Sequence, residues 1–214
     1  MIKKLFAVSL LITSTTTSVY ATEIEANIGV TSNYLWRGVS QSDNHSSISS
    51  GITISNHGFY SGAWVGSVDF NDKTRFETNL FAGYQFENRG IDWDIGLIYY
   101  GYHRNSDLNF SEIYATGSYQ NVSFGVATLL ESSDQTTEFA DNYYAHVGYQ
   151  WQLENDLKAD LKAGHYQHQH ADSYQDFSLK LAKHNFTLEL AKVFGLDGVD
   201  DKSVAISYQT TFEL

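Results

Sequence analysis

Three closely spaced histidines are the best candidates for metal binding. They lie in the stretch HYQHQH as His165, His168 and His170, and imidazole is a good ligand for zinc and copper. Successive side chains of a strand point to opposite faces, so His168 and His170 would share one face while His165 takes the other. Two imidazoles in a surface loop make a weak site. We therefore expect no metal and no cofactor, with His168 and His170 as weak candidates.

A hydrolytic site would need a nucleophile beside a base, and His146 is the best candidate base. It shares one face of a predicted strand with Tyr144, whereas Ser132, Ser133 and Asp134 lie in a predicted loop without a histidine at a fixed spacing. The sequence contains no GxSxG elbow. We expect no enzyme activity, and hydrolysis is kept as a weaker alternative.

Charged side chains recur at alternate positions along the chain and form the third chemical pattern. If one side of every strand enclosed water, these side chains would line that interior and select solutes by charge. Acids exceed bases among them, which favours cations or neutral solutes, unless opposite charges on neighbouring strands neutralise one another. Arg37 or Arg75 could pair in that way with Glu77, Asp92 or Asp94. The candidates for this lining are Arg37, Asp69, Arg75, Glu77, Asp92, Asp94, Glu112, His146, Lys158, Asp160 and Lys162.

The elements that must position these residues are strands with one apolar face. The closing stretch SVAISYQTTFEL places Val204, Ile206 and Phe212 on one parity and polar residues on the other, which is the two-residue period of a strand. Twelve such runs follow one another. The first is expected to continue through Tyr34 and Trp36, and in the third Tyr60, Trp64 and Val68 are expected on the apolar, outward face.

The connections between these runs also alternate. Five are short and rich in Asn, Gly or Asp, as at His57-Gly58, and six are mostly longer and polar. An even number of strands with short turns at one end and long loops at the other predicts an all-β, transmembrane, antiparallel up-and-down β-barrel with short periplasmic turns and longer extracellular loops. Aromatic residues fall into two predicted girdles. They are Tyr84, Phe86, Trp93, Tyr119, Tyr149, Trp151 and Phe212 near the short turns, and Tyr34, Trp36, Phe70, Phe76, Tyr99 and Tyr143 near the long loops.

The first 21 residues predict export. Lys3 and Lys4 precede an apolar run, and small residues end the stretch at Ala21, as in a cleaved signal peptide. The barrel is then expected to occupy residues 22–214. The formal charge is −12, or −14 once both lysines are removed, which argues against nucleic acid as a partner. Cysteine and proline are absent, so neither disulfides nor thiolate zinc sites are possible.

Four stretches of the chain are distinctive: VTSNYLWRGVSQSDN at 30–44, GFYSGAWVGSVDF at 58–70, DWDIGLIYYGY at 92–102 and NFSEIYATGSY at 109–119. They resemble the TorF family of proteobacterial outer-membrane porins. The family commonly has Pro after the SQ and YGY stretches, where this chain has His45 or Ser46 and His103. The resemblance implies a porin.

The final strand also fits this interpretation, because in a closed barrel it pairs with the first strand and its apolar face meets lipid. Tyr208, Phe212 and Leu214 resemble the terminal signal read by the barrel assembly machinery, with Leu in place of the usual Phe. We predict a bacterial outer-membrane channel for passive diffusion of small neutral or cationic hydrophilic solutes. Inward tyrosines such as Tyr100 and Tyr114 are expected to fill space rather than bind sugars. The alternatives are a closed barrel serving as scaffold or adhesin, and a soluble β-sandwich or periplasmic lipid carrier.

Overall fold

The structure, a computed structural model, describes residues 22–134, 136–196 and 202–214. The predicted signal peptide, residues 1–21, lies outside the described residues. A single 3₁₀ turn (Ser106–Leu108) accompanies the strands, and no helix in these ranges is long and apolar enough to cross a bilayer. The strands are β1 (Glu23–Thr31), β2 (Leu35–Trp36), β3 (Val39–Ser40), β4 (Ser47–Asn56), β5 (Phe59–Ser67), β6 (Phe76–Asn88), β7 (Ile91–Tyr102), β8 (Phe110–Tyr119), β9 (Val122–Ser132), β10 (Tyr143–Gln152), β11 (Lys158–Gln167), β12 (Tyr174–Lys183), β13 (Phe186–Phe194) and β14 (Lys202–Glu213).

Twelve of these strands form a closed antiparallel barrel, as the sequence predicted. Each barrel strand pairs with its neighbours in chain order, and β14 returns to pair with β1, where Ala26 faces Phe212. Closure leaves no strand edge unpaired, which a chain in hydrocarbon requires. The two remaining strands, β2 and β3, pair only with each other.

The connections confirm the predicted asymmetry. Tight turns close β4–β5 and β6–β7 at His57-Gly58 and Arg89-Gly90, and all four of these residues have positive φ, as such hairpins need. The connections at the opposite end are mostly longer, and the longest is residues 32–46 between β1 and β4. Below, the two ends are called the short-turn end and the long-loop end.

The outer surface of the barrel is apolar. Ile28, Val204 and Phe212 are 54%, 57% and 52% exposed, and similar aliphatic side chains cover the other strands. Aromatic pairs such as Tyr84 with Phe86 and Tyr149 with Trp151 lie on this surface near the short turns. An apolar outer surface of this kind is typical of a transmembrane β-barrel.

Strand β5 corrects the sequence prediction, because Tyr60 and Trp64, together with Val68 directly after the strand, face inward and are 4%, 7% and 4% exposed. Both faces of this strand carry apolar residues, so alternation alone could not orient it. The pairing does so, since Ala63 lies opposite outward Ile52 of β4. On the inner side, Gly62 leaves room for the ring of Phe81.

The chain after β1 also differs from the prediction. The first strand ends at Thr31, whose Oγ1 donates to the carbonyl of Asn33 at 2.8 Å. The chain then turns into the barrel, and the Tyr34 N–H donates to Ser42 Oγ at 3.0 Å. Tyr34 and Trp36 therefore lie inside the barrel and are not part of the long-loop girdle.

Candidate functional site: a hairpin across a charged bore

The central feature of the interior is the hairpin formed by β2 and β3, here called the bore hairpin (residues 35–40). Arg37 and Gly38 form its turn with φ of 50° and 82°. A Cβ added to Gly38 would lie 2.9 Å from Val193 Cγ2 and 3.0 Å from Asp176 Cβ. The hairpin tip thus abuts β12 and β13, and only glycine fits there.

Arg37 fixes the hairpin to another part of the wall. Its guanidinium donates two hydrogen bonds to the Glu112 carboxylate of β8, at 2.9 Å and 2.7 Å. It also lies over the rings of Trp36, Tyr144 and Tyr166, with 4.2 Å, 4.4 Å and 4.8 Å from Arg37 Cζ to the ring centroids. Both charges are largely buried. A bidentate, stacked arginine of this kind holds its partners in one geometry.

Trp36 extends these contacts around the bore. Its ring packs edge-on against Tyr100 of β7, Phe110 of β8 and Tyr166 of β11, with centroid distances of 6.0, 6.2 and 5.7 Å. The hairpin begins at β1, so it reaches across the barrel interior from one wall to another. It narrows the half of the bore that adjoins the long-loop end.

The β6–β7 wall carries carboxylates that are held by neutral donors. Tyr34 Oη and Asn79 Nδ2 donate to Glu77 Oε1 at 3.2 Å and 2.8 Å, and Glu77 is only 1% exposed. Nearer the short-turn end, Tyr60 Oη donates to Asp94 Oδ1 at 2.6 Å and Gln85 Nε2 donates to Asp94 Oδ2 at 3.4 Å.

The β11–β13 wall pairs its charges instead. Lys180 Nζ lies 3.5 Å from Glu189 Oε2, and Lys162 Nζ lies 4.0 Å from Asp176 Oδ1. Asp160 faces Lys180 in the strand register. This wall has acids and bases in similar number, whereas β6 to β8 carry Glu77, Asp94 and Glu112, of which Glu112 is paired with Arg37.

Inward aromatic rings lie along the wall rather than across the bore. A Cβ at Gly83 would be 2.3 Å from Tyr60 Oη, one at Gly96 would be 2.6 Å from Tyr114 Oη, and one at Gly164 would be 2.1 Å from Tyr144 Oη. Each glycine is on the strand next to that of the ring it accommodates. Because these glycines have no side chain, the tyrosine rings can lie flat along the barrel wall.

The other predicted lining residues are spread over the barrel. Asp92 is exposed near the short turns, and Lys158 is half-buried at the same end. His146 stacks on Tyr144, with its Nδ1 buried and without a hydrogen-bond partner in the described residues. Asp69 lies outside the strands at the long-loop end and accepts a hydrogen bond from the Asn71 N–H.

Arg75 lies in the β5–β6 loop and not in the bore. Its guanidinium donates to the carbonyl oxygens of Asp72 and Thr74, at 2.6 Å and 2.7 Å. The predicted pairing of an arginine with Glu77, Asp92 or Asp94 is therefore wrong in detail, because Arg37 binds Glu112. A sequence signal for the hairpin does exist, since Arg37-Gly38 has the same turn chemistry as Arg89-Gly90.

Asp72 connects the β5–β6 loop to the β7–β8 loop. Its carboxylate accepts hydrogen bonds from the Thr74 N–H at 2.6 Å and from Asn105 Nδ2 at 2.8 Å. The bonds from Thr74 lower the pKa of Asp72 below its usual value.

The histidines considered as metal ligands lie at the long-loop end. His168 packs on Tyr166 with 4.1 Å between ring centroids, and His170 Nε2 lies 3.6 Å from Asp141 Oδ2. Across the described ranges, no group of three or more His, Cys, Asp or Glu side chains is arranged to hold a metal ion.

The predicted assembly signal lies at the outer face of the barrel, with Tyr208 and Phe212 on β14 and Leu214 directly after it. Tyr208, Phe212 and Leu214 are 39%, 52% and 75% exposed, and the Leu214 N–H donates to the Ile24 carbonyl at 2.9 Å. The C-terminus is thus hydrogen-bonded to β1, where the first and last strands of the barrel pair.

Solved structures share this architecture at low sequence identity. The KdgM porin aligns with a TM-score of 0.53 and 11% identity over 90% of this chain and 99% of its own. A structure from work on the in-meso crystallization of membrane proteins gives 0.55 and 12%, over 90% of this chain and 84% of its own. The NanC porin gives 0.44 and 11%, over 88% and 97%. At these identities the first two show a common fold.

Sequence comparison places the chain in a family. No curated protein matches it. The family model described as bacterial protein of unknown function (Gcw_chp) matches residues 14–210, which is most of the sequence and includes the bore hairpin and all barrel strands except the last three residues of β14. The chain therefore belongs to the Gcw_chp family of bacterial proteins of unknown function.

Proposed function

We propose that this protein is a narrow, porin-like channel in the bacterial outer membrane for passive diffusion of small neutral or cationic hydrophilic solutes. The observation that carries the proposal is the charged interior of the closed barrel, which Arg37 and Glu112 narrow by holding a hairpin across it. A barrel with an apolar exterior and a polar interior is the general form of outer-membrane channels. The fold shared with the KdgM porin supports the same class.

The charge preference follows from which carboxylates are neutralised. Glu112, Asp176 and Glu189 lie beside a lysine or arginine. Glu77 and Asp94 are held by neutral donors. A bore with unneutralised carboxylates attracts cations and repels anions.

The location and assembly belong to the same proposal. The predicted signal peptide would direct export, and the resemblance to TorF porins favours the outer membrane. Tyr208, Phe212 and Leu214 would be read by the barrel assembly machinery, and lipid would contact the apolar outer face. No catalytic step is proposed, and His146 is assigned to the lining of the bore.

The hairpin also favours a second candidate, a closed barrel that acts as scaffold or adhesin. Its contacts with β7, β8, β11, β12 and β13 connect opposite walls. If these contacts seal the bore, no solute passes.

Conductance of the purified protein in a planar bilayer distinguishes the two candidates. Discrete current steps with a preference for cations are expected of the channel. Silence at every salt concentration and voltage would refute the channel and support the scaffold. Hydrolysis of phospholipid or peptide that is lost in His146→Ala would contradict both and indicate an enzyme.

A further inference from the structure

The charged groups of the bore differ in whether an ion pair already satisfies them. In the described part of the chain, the carboxylates of Glu112, Asp176 and Glu189 each have a basic side chain within 4.0 Å. Asp94 and Glu77 have no such partner there and accept hydrogen bonds from tyrosine and amide groups. No ion pair in the described part of the chain neutralises either of these two carboxylates.

Among the described residues Asp160 also lacks an ion pair within 4.0 Å, but it lies opposite Lys180 in the register of β11 and β12. Access separates Glu77 from Asp94. Glu77 is 1% exposed beneath Tyr34, so a solute in the bore cannot reach it. Asp94 is half-buried. It is the third residue after Ile91, about 10 Å along β7 from the short-turn end at 3.3 Å per residue. Tyr100, which contacts the bore hairpin, lies about 20 Å further along the same strand.

The surroundings hold the Asp94 carboxylate in place. Tyr60 donates to one oxygen, Gln85 to the other, and the Tyr60 and Tyr114 hydroxyls contact each other. Gly83 and Gly96 face each other across β6 and β7 and leave the space in which these two hydroxyls lie. Neutral donors orient the carboxylate without cancelling its charge.

We propose that Asp94 is the cation-selecting residue of the bore, a fixed carboxylate that attracts small cations between the short-turn mouth and the hairpin. This assignment rests on the proposed channel function. It names one residue as the main source of selectivity, where the sequence offered eleven candidates for the lining.

The test is the reversal potential in a potassium chloride gradient for single channels of the full-length protein. In Asp94→Asn the amide oxygen still accepts the bond from Tyr60, while the charge is lost. A unit charge about 5 Å from an ion in water changes the ion's local concentration about fourfold. We expect the ratio of potassium to chloride permeability to fall by at least that factor, with the larger change at low salt, where screening is weak.

A second variant provides an independent test in case Asp94→Asn misfolds. Thr116 lies opposite Asp94 in the register of β7 and β8, so Thr116→Lys brings an ammonium to the carboxylate and leaves its hydrogen bonds in place. The same loss of selectivity is expected. Asp134→Asn is the matched control, because Asp134 lies in the β9–β10 loop, outside the bore, and bonds to Thr136 there. It should keep the wild-type ratio.

The outcomes separate this inference from the proposed function. Wild-type channels that conduct, with an unchanged permeability ratio in Asp94→Asn or Thr116→Lys, would overturn the role of Asp94 and leave the channel intact. A wild-type protein that never conducts would overturn the channel itself. A ratio that falls equally in Asp134→Asn would also count against Asp94, because selectivity would then follow total charge.

Discussion

Replacing Arg37 by methionine should release the bore hairpin and raise the single-channel conductance. Arg37 donates two hydrogen bonds to Glu112, Tyr100 Oη donates a longer one at 3.4 Å, and the Arg37 and Glu112 side chains are 9% and 3% exposed. Removing one partner of a buried ion pair costs about 3–5 kcal/mol, because the other charge is left uncompensated. At about 3 kcal/mol, the docked hairpin would lose roughly a hundredfold in population relative to the displaced one.

The barrel itself should survive this change. The β2–β3 ladder is separate from the closed sheet, and the hairpin's docking adds no ladder bond to the twelve strands. We therefore expect Arg37→Met to fold and insert normally while its channels carry a larger and less uniform current. Arg75→Met is the matched control, because Arg75 bonds only to carbonyls of its own loop in the described residues. Its conductance should equal that of the wild type.

A double variant tests the reasoning most directly. In Arg37→Met with Glu112→Gln, neither charge remains, and methionine can still pack among Trp36, Tyr144 and Tyr166. Replacing a whole buried pair is often nearly neutral, so the conductance should return toward the wild-type value. If Arg37→Met conducts like the wild type, or if the double variant is as open as the single one, the ion pair does not hold the hairpin.

Three further predictions concern the wall, the seam and the loops. Gly164→Val should lower the free energy of unfolding by about 1–3 kcal/mol through overpacking, because its Cβ would overlap Tyr144 Oη and Asp176 Oδ2. The urea midpoint should fall in this variant. It should stay at the wild-type value in Ala163→Val, whose side chain faces outward. Phe212→Ala should slow insertion by the barrel assembly machinery, measured as the yield of folded protein over time, whereas inward Thr211→Ala should insert like the wild type. The lowered pKa of Asp72 means that its bonds to Thr74 and Asn105 stabilise the loops above the usual carboxylate pKa and are lost as pH falls through the lowered value. Exchange of the Thr74 amide should accelerate in acid, and a rate independent of pH, after correction for intrinsic exchange, would contradict this.

Local rules were sufficient to predict the barrel. A two-residue period identified the twelve strands, and residues that tolerate positive φ, as at His57-Gly58 and Arg89-Gly90, marked the tight turns. Both signals depend on neighbours in the chain, so one sequence contains them. The outward residues of β14 were also assigned correctly, because its two faces differ sharply in polarity.

The interior could not be predicted in the same way. Arg37 and Glu112 are 75 residues apart, and no local pattern links them. Tyr34 and Trp36 continue the parity of β1, so alternation extended the strand through them. In β5 the inward Tyr60 and Trp64 are larger than the outward Ala63 and Val65, so the alternation pattern predicted the opposite orientation. Only the pairing with β4 reveals which face points inward.

The hairpin's position also determines when it can form. It follows β1, near the start of the barrel, whereas its contacts lie on β8, β11, β12 and β13. These strands surround the hairpin only after β14 has paired with β1 and closed the barrel. We therefore expect docking to be a late event in maturation, since contacts so distant in sequence carry the largest loop-closure cost. We therefore expect Trp36 to leave water only after the strands around it have paired.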